Sequence, residues 1–228
     1  MGVELTPWLA APVDPVVSAQ ELHLWRFSLK RMPHSLQQYS DILSSDEVRR
    51  AEKLISPQKK SDFIVARAQL RLILAAYLRC FPARIEFTYN PQGKPFLLHS
   101  AEQQLSFNLS HAGGRGLLAL MKTTPVGVDI ERIDRNIDCL AIARRYFSSA
   151  EERFLQRLPA EKQAIHFFRV WTRKEALLKM LGIGLGSVGE IPSSQETPRF
   201  LRHIPIGAGY IAAVAARDAV TTVVRYKL

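Results

Sequence analysis

The stretch that decides the fold runs Leu105-Ser-Phe-Asn-Leu-Ser-His-Ala-Gly-Gly-Arg-Gly-Leu-Leu-Ala-Leu-Met-Lys-Thr-Thr-Pro-Val-Gly-Val-Asp-Ile-Glu-Arg-Ile133. Leu105–Leu109 alternates apolar and polar residues, the period of a half-buried strand. Ser110 to Gly114 reads as a break. Gly116 to Met121 is a continuous apolar run, the mark of a strand buried on both faces. Lys122 to Pro125 is a turn, and Val126 to Ile133 is a third strand. Three strands joined by short turns are antiparallel in style. Working outward, Glu21–Phe27 alternates as another strand. A helix starts at Ser44 or Ser45, with Asp46 and Glu47 in its first turn. Ser61 is expected to cap a helix running to about Arg79, and Pro82 stops it. Ile85–Tyr89 is a short strand followed by the Asn90–Gly93 turn. Ser148 and Ser149 before Glu151 and Glu152 open a further helix. Gln163 to Leu181 is the clearest helix in the chain. Glycine-rich loops are expected after Gly182, then strands near Tyr210–Ala215 and Thr221–Tyr226. Pro7, Pro12 and Pro15 mark the first 20 residues as an irregular lead-in. Helices and strands do not alternate regularly, which implies an α+β fold.

The chain has 228 residues, 47% hydrophobic and 23% charged. That composition excludes a collagen, a disordered tail and a coiled coil. A chain of this length buries roughly 70% of its unfolded surface and needs no disulfide or structural metal to fold. The two cysteines, Cys80 and Cys139, match no zinc spacing and are too few for a secreted scaffold. No apolar run is long enough to span a membrane, and the N-terminus has no basic start with an apolar core. These features lead us to expect a cytoplasmic protein. The net charge of +10 calls for a polyanionic partner without naming it.

In the strand Val126–Ile133, Val126, Val128 and Ile130 share one face, and Gly127, Asp129 and Glu131 the other. The two carboxylates either form a solvated acidic face or converge on a hard cation such as Mg²⁺. Gly127 would leave room for a ligand to lie on the sheet. In Trp171-Thr-Arg-Lys-Glu-Ala-Leu-Leu-Lys179, Trp171, Glu175 and Lys179 are spaced i, i+4, i+8. They make either a surface ion pair or a carboxylate and a cation at the border of a cleft. Phe107-Asn-Leu-Ser-His-Ala-Gly113 ends a strand in Ser-His before small residues, where amides and a histidine could hold a phosphate oxygen. Lys94 sits at a turn. Gly182-Ile-Gly-Leu-Gly186 follows a helix instead of preceding one, so it reads as a helix cap and connection, not a nucleotide loop.

Taken together and in order, these segments resemble the 4′-phosphopantetheinyl transferases of the surfactin-synthetase-activating type. The resemblance rests on Val126–Glu131, Trp171–Lys179, Gly93-Lys-Pro95, Phe107–Gly113 and Arg144-Arg-Tyr-Phe-Ser148, and covers Ser44 to Gly186. It implies two similar α+β halves related by a pseudo-two-fold axis, residues 1–105 and 106–228, in a monomer with coenzyme A in the cleft between them. It implies transfer of 4′-phosphopantetheine from coenzyme A to a serine of an apo acyl or peptidyl carrier protein, releasing adenosine 3′,5′-bisphosphate. Asp129, Glu131 and Glu175 would hold Mg²⁺, with Mn²⁺ as the alternative. Asp129, Glu175 and Lys179 would be catalytic, Glu175 as the base for the serine. Lys179, Lys174, Ser110 and His111 would line the coenzyme site. Arg67, Lys94, Arg49 and Arg50 would surround the adenine and 3′-phosphate. An acidic carrier partner would account for the basic charge. Two other classes compete, a nucleic-acid-binding module suggested by charge alone and a non-catalytic relative that binds coenzyme A or carrier.

Overall fold

The computed structural model describes residues 2–30, 33–98, 104–184 and 197–228. The glycine-rich connection expected beyond Gly182 lies outside the described residues from Leu185 to Glu196.

The elements are β1 (Glu4–Ala10), β2 (Glu21–Ser28), α1 (Leu36–Ser40), α2 (Ser45–Glu52), α3 (Pro57–Leu78), β3 (Phe87–Tyr89), β4 (Pro95–Leu97), β5 (Leu105–Ala112), β6 (Arg115–Lys122), β7 (Val126–Arg132), α4 (Cys139–Tyr146), α5 (Ser149–Gln156), α6 (Ala160–Leu181), β8 (Phe200–His203), β9 (Tyr210–Ala216) and β10 (Thr222–Lys227). Among the described residues three sheets form, in the orders β1-β10-β2-β6-β5, β3-β4 and β7-β9-β8. The architecture is the mixed α+β expected from the sequence.

Burial explains the layering. One face of the five-stranded sheet presents Trp25, Phe27, Phe107, Leu118 and Leu120 to Leu70, Ile73 and Leu74 of α3. Its other face presents Leu22, Leu24, Leu117 and Met121 to Val126, Val128 and Ile130 of β7 and Val214 of β9. β6 is thus covered on both sides, which is why its apolar run does not alternate. The outer face of the three-stranded sheet is covered by α6 through Ala176 and Met180 against Ala213 and Ala215. The order of layers is helix, sheet, sheet, helix.

Several local readings are corrected by this frame. The proline-containing lead-in forms β1, an edge strand paired in parallel with β10. Pro7 is tolerated there because an edge strand need not donate every N–H, and the pairing register shifts between Leu5 and Trp8. α3 begins at Pro57, not Ser61. Ser56 caps it by accepting from the Lys59 N–H, and Pro57 takes the first turn, where no N–H partner is needed. β5 continues through Ser110 and His111 to Ala112 instead of breaking. Gly113 and Gly114 then turn the hairpin, both at positive φ (55° and 84°), as a two-residue type I′ turn requires.

Element order recurs along the chain: β2, two short helices and a 22-residue helix, then β7, two short helices and another 22-residue helix. The hydrogen-bonded layer that begins in residues 1–105 nevertheless runs on past that expected boundary. β6 pairs with β2 and β5 pairs with β6, carrying the sheet to residue 122, and β10 inserts between β1 and β2.

Candidate active site

β5 and β7 run side by side at the junction of the two main sheets, joined by side chains rather than by a backbone ladder. Asn108 Oδ1 accepts from the Val128 N–H at 2.9 Å, and Ser110 Oγ accepts from the Ile130 N–H at 3.4 Å. This junction turns Asp129 toward α6. Gly127, on the same face of β7, touches α6 directly. A Cβ at Gly127 would lie 2.1 Å from the Ala176 carbonyl oxygen and 2.2 Å from the Met180 nitrogen. The room expected above Gly127 for a ligand is therefore filled by the helix, and the glycine serves to bring α6 down onto the sheet.

That close approach delivers Lys179 to Asp129. Lys179 Nζ donates to Asp129 Oδ1 at 2.5 Å and to Ser110 Oγ at 3.1 Å, while Ser110 Oγ donates to the same carboxylate oxygen at 3.0 Å. Asp129 is 3% exposed, and its other oxygen, Oδ2, is buried without a hydrogen-bond partner among the described residues. Glu131 lies further along the same face. Burial and the Asp129 charge, with a contribution from Glu175, push its carboxyl up to about 7, against the pull of Lys179 and a hydrogen bond from the Trp171 indole. Glu175 is raised by burial and by Asp129, with Lys179 opposing. The three carboxylates thus feel one another across a single region.

They do not converge on one point as expected. Among the described residues, no three carboxylate, histidine or cysteine side chains close on a common centre, and the Lys179 ammonium neutralises Asp129 instead. The donor set still suits a hard divalent cation. It offers all-oxygen donors, one orphaned buried oxygen, and two further carboxylates whose ionised forms are disfavoured until a cation compensates them.

The expected coenzyme-binding residues divide. Ser110 stands in the Asp129–Lys179 knot. His111 projects from the opposite face of β5. Its side chain reaches solvent, yet the protein crowded about it lowers its pKa through desolvation, aided by Lys179 and opposed by Asp62. The Lys94 ammonium is held by backbone carbonyls. It donates to the backbone carbonyls of Lys179 (2.5 Å), Met180 (3.2 Å) and Val126 (3.3 Å), and burial lowers its pKa to about 8. Two of those carbonyls belong to the last turn of α6, where no intrahelical partner exists. Asn90 adds a bond from Nδ2 to the Gly182 carbonyl at 2.7 Å.

Arg67 is likewise engaged. Its Nε donates to Glu47 Oε1 at 2.6 Å and a terminal nitrogen to the Tyr89 hydroxyl at 3.2 Å, while Arg71 Nε meets Glu47 Oε2 at 2.7 Å. Glu47 is fully buried. Burial alone would raise its pKa, but the two guanidiniums and the Ser44 backbone hold it below the ordinary value. Arg49 and Arg50 are exposed on α2, with the Arg50 guanidinium 5.1 Å from the Tyr89 ring centre. Lys174 is drawn elsewhere, pairing with Glu151 of α5 at 3.0 Å and lying over the Phe147 ring.

Sequence reasoning missed two contributors, Asn108 and Asn90. Asn108 was legible in principle, because strand alternation puts it on the side of Ser110. The Asn90 bond spans 92 positions and left no local signal.

A rigid cation, a hydroxyl and clustered carboxylates at a sheet junction suit an enzyme that handles phosphate esters. Comparison with known proteins gives that class a family. Residues 28–122 match the family described as 4′-phosphopantetheinyl transferase, N-terminal, and residues 125–209 match the 4′-phosphopantetheinyl transferase superfamily. The chain is 38% identical over 185 residues to the 4′-phosphopantetheinyl transferase HetI of Nostoc sp., covering 81% of this chain and 78% of that protein. It is 36% identical over 168 residues to the putative 4′-phosphopantetheinyl transferase slr0495 of Synechocystis sp., covering 73% and 68%. It is 27% identical over 201 residues to the 4′-phosphopantetheinyl transferase Sfp of Bacillus subtilis, covering 76% and 87%. The chain belongs to the 4′-phosphopantetheinyl transferase superfamily and is a transferase.

Proposed function

We propose that this transferase moves 4′-phosphopantetheine from coenzyme A to a serine of an apo acyl or peptidyl carrier protein, releasing adenosine 3′,5′-bisphosphate. The observation that carries the reading is the Lys179–Asp129–Ser110 knot, bordered by two carboxylates of raised pKa. The diphosphate of coenzyme A brings negative charge that Lys179 can meet, exchanging one anionic partner for another without moving its helix. Asp129, Glu131 and Glu175 would hold Mg²⁺, or Mn²⁺ in its place, and a bound divalent ion would supply charge neutralisation on the diphosphate.

Glu175 is the candidate base for the serine proton. Burial raises its affinity for protons, which suits a group that must accept one near neutral pH. His111, at the solvent side of β5, would meet a phosphate oxygen. Of the cations considered for the 3′-phosphate, Arg67 is paired with Glu47 and Lys94 is held by backbone carbonyls, whereas Arg49 and Arg50 are exposed and make no ion pair among the described residues. Arg67 would act together with Glu47 and Tyr89, and Lys94 would set the last turn of α6 and so the position of Lys179. Lys174 would brace α6 against α5. An acidic carrier surface would complement the +10 chain.

The test is intact-mass analysis of a panel of apo carrier proteins incubated with the transferase, coenzyme A and Mg²⁺, beside an EDTA control. A gain of one phosphopantetheine unit, lost with EDTA, is expected. Coenzyme A binding with no gain on any carrier would favour a non-catalytic relative.

A further inference from the structure

At the end of the β-sandwich where the β5–β6 turn lies, four cations gather. Arg26 comes from β2, Arg115 from β6, Arg225 from β10, and Lys30 follows β2. Trp8 lies between two of them, 4.4 Å from Arg26 and 5.3 Å from Arg225, and Arg115 stacks 4.0 Å from the Tyr210 ring centre. Among the described residues, none of the four is ion-paired to a carboxylate. A cavity of about 520 Å³ opens here, lined by three of the four cations, Arg26, Lys30 and Arg115, with Gly114, Tyr210 and Leu228 among others, while Arg225 stands outside the lining; it contains none of the candidate active-site residues.

The site is built, not incidental. Arg115 is steadied by donating to the Ile206 carbonyl at 3.0 Å, and Arg225 by donating to the Thr6 carbonyl. Tyr210 is fixed by donating its hydroxyl to the Gly113 carbonyl at 2.6 Å. Gly114 keeps the floor open, since a Cβ there would lie 2.8 Å from the Lys30 stem. Like charges held together in a half-buried cavity cost free energy unless an anion joins them. Consistent with that cost, burial and the neighbouring arginine both depress Arg26 and Arg225.

We propose that this arginine-lined cavity binds a compact phosphate-bearing polyanion at a site separate from the candidate active site. Guanidinium forks match phosphate oxygens bidentately. The concave shape, with three of the four cations half-buried, favours a small polyanion over a flat macromolecular surface.

The experiment is calorimetric titration of inorganic pyrophosphate into the full chain at fixed ionic strength. The variants are Arg26→Gln, Arg115→Gln, the exposed Lys30→Ala, and Lys179→Ala, each checked for native circular dichroism. Two classes of site are expected. One is weakened about tenfold or more by Arg26→Gln or Arg115→Gln and measurably by Lys30→Ala, about the loss of one charge-assisted bond. The other is lost only in Lys179→Ala. Loss of the second class alone tests the active-site reading and leaves this one untouched. ADP in place of pyrophosphate separates the sources: equal affinity at the arginine site assigns free phosphate chemistry, and a tenfold gain assigns a nucleotide tail. Pyrophosphate binding unchanged in Arg26→Gln, Arg115→Gln and Lys30→Ala would overturn the proposal. So would a duplex oligonucleotide or acidic peptide that loses affinity in these variants while pyrophosphate never binds.

Discussion

Asp129 has one oxygen saturated by Lys179 and Ser110 and the other buried and bare. Asp129→Asn and Glu175→Gln are each expected to reduce transfer by at least about 100-fold while melting within a few degrees of the parent, because both changes keep side-chain volume. Near-parental rates at limiting Mg²⁺ would remove these residues from the metal site. A second residue reports through acid stability. Trp25 Nε1 can only donate, and it donates to the Tyr77 hydroxyl at 2.9 Å. The Tyr77 proton is then free to go to His23 Nδ1, 2.6 Å away, which fixes that nitrogen as the acceptor of a neutral ring. Burial lowers the His23 pKa below 6.5, with Glu21 opposing. A depressed folded-state pKa contributes stability above the unfolded value that is lost as pH falls through the folded value. The melting temperature is therefore expected to drop below about pH 6.5, and to drop less steeply in His23→Leu. Equal slopes would refute the assignment. The His23–Tyr77 contact was invisible in the sequence, since the two are 54 positions apart, whereas Asp129 and Lys179 were singled out because the segments that carry them resemble a family's motifs; the strand and helix periods fixed only their faces.

At the scale of elements, the decisive contact is α6 lying on β7. Gly127→Ala is expected to cost about 3 kcal/mol or more, above the usual range for overpacking, because the new methyl meets helix backbone that cannot rotate away. Denaturant midpoints would measure it, and a loss under 1 kcal/mol would show that the helix yields. The sequence marked Gly127 as a site of close approach but could not say whether a ligand or a helix does the approaching. Lys94 shows the same limit. A lysine at a turn reads as a free cation, and only the folded chain shows three carbonyls around it. Lys94→Met is expected to lower kcat about tenfold with little change in the KM for coenzyme A, and to affect dephospho-coenzyme A equally. A selective rise in the coenzyme A KM would restore a role at the 3′-phosphate. Pro7 misled in the other direction, because the edge position that tolerates it is a property of the assembled sheet.

For the whole molecule, the net charge of +10 predicts steering of an acidic carrier. Raising salt from about 50 to 300 mM should raise the carrier KM several-fold and leave kcat nearly unchanged. A flat response would detach the charge from carrier recognition. The α+β class was legible because antiparallel strand patterns and helical patterns alternate irregularly along the chain. The sheet order was not, because nothing local in Thr222–Lys227 announces that it lies between β1 and β2. That insertion has a consequence for biosynthesis. Among the described residues β1 pairs with β10 alone, and β10 follows every other described strand in the chain, so β1 has no hydrogen-bonding neighbour until β10 has been made. Until then the β2 edge is bare as well, and a nascent chain leaves two open strand edges exposed to the crowd around the ribosome. Both edges close in one step when β10 emerges, so the time taken to make the chain between β1 and β10, more than the speed of any local folding event, governs how long this chain is at risk of sticking to another.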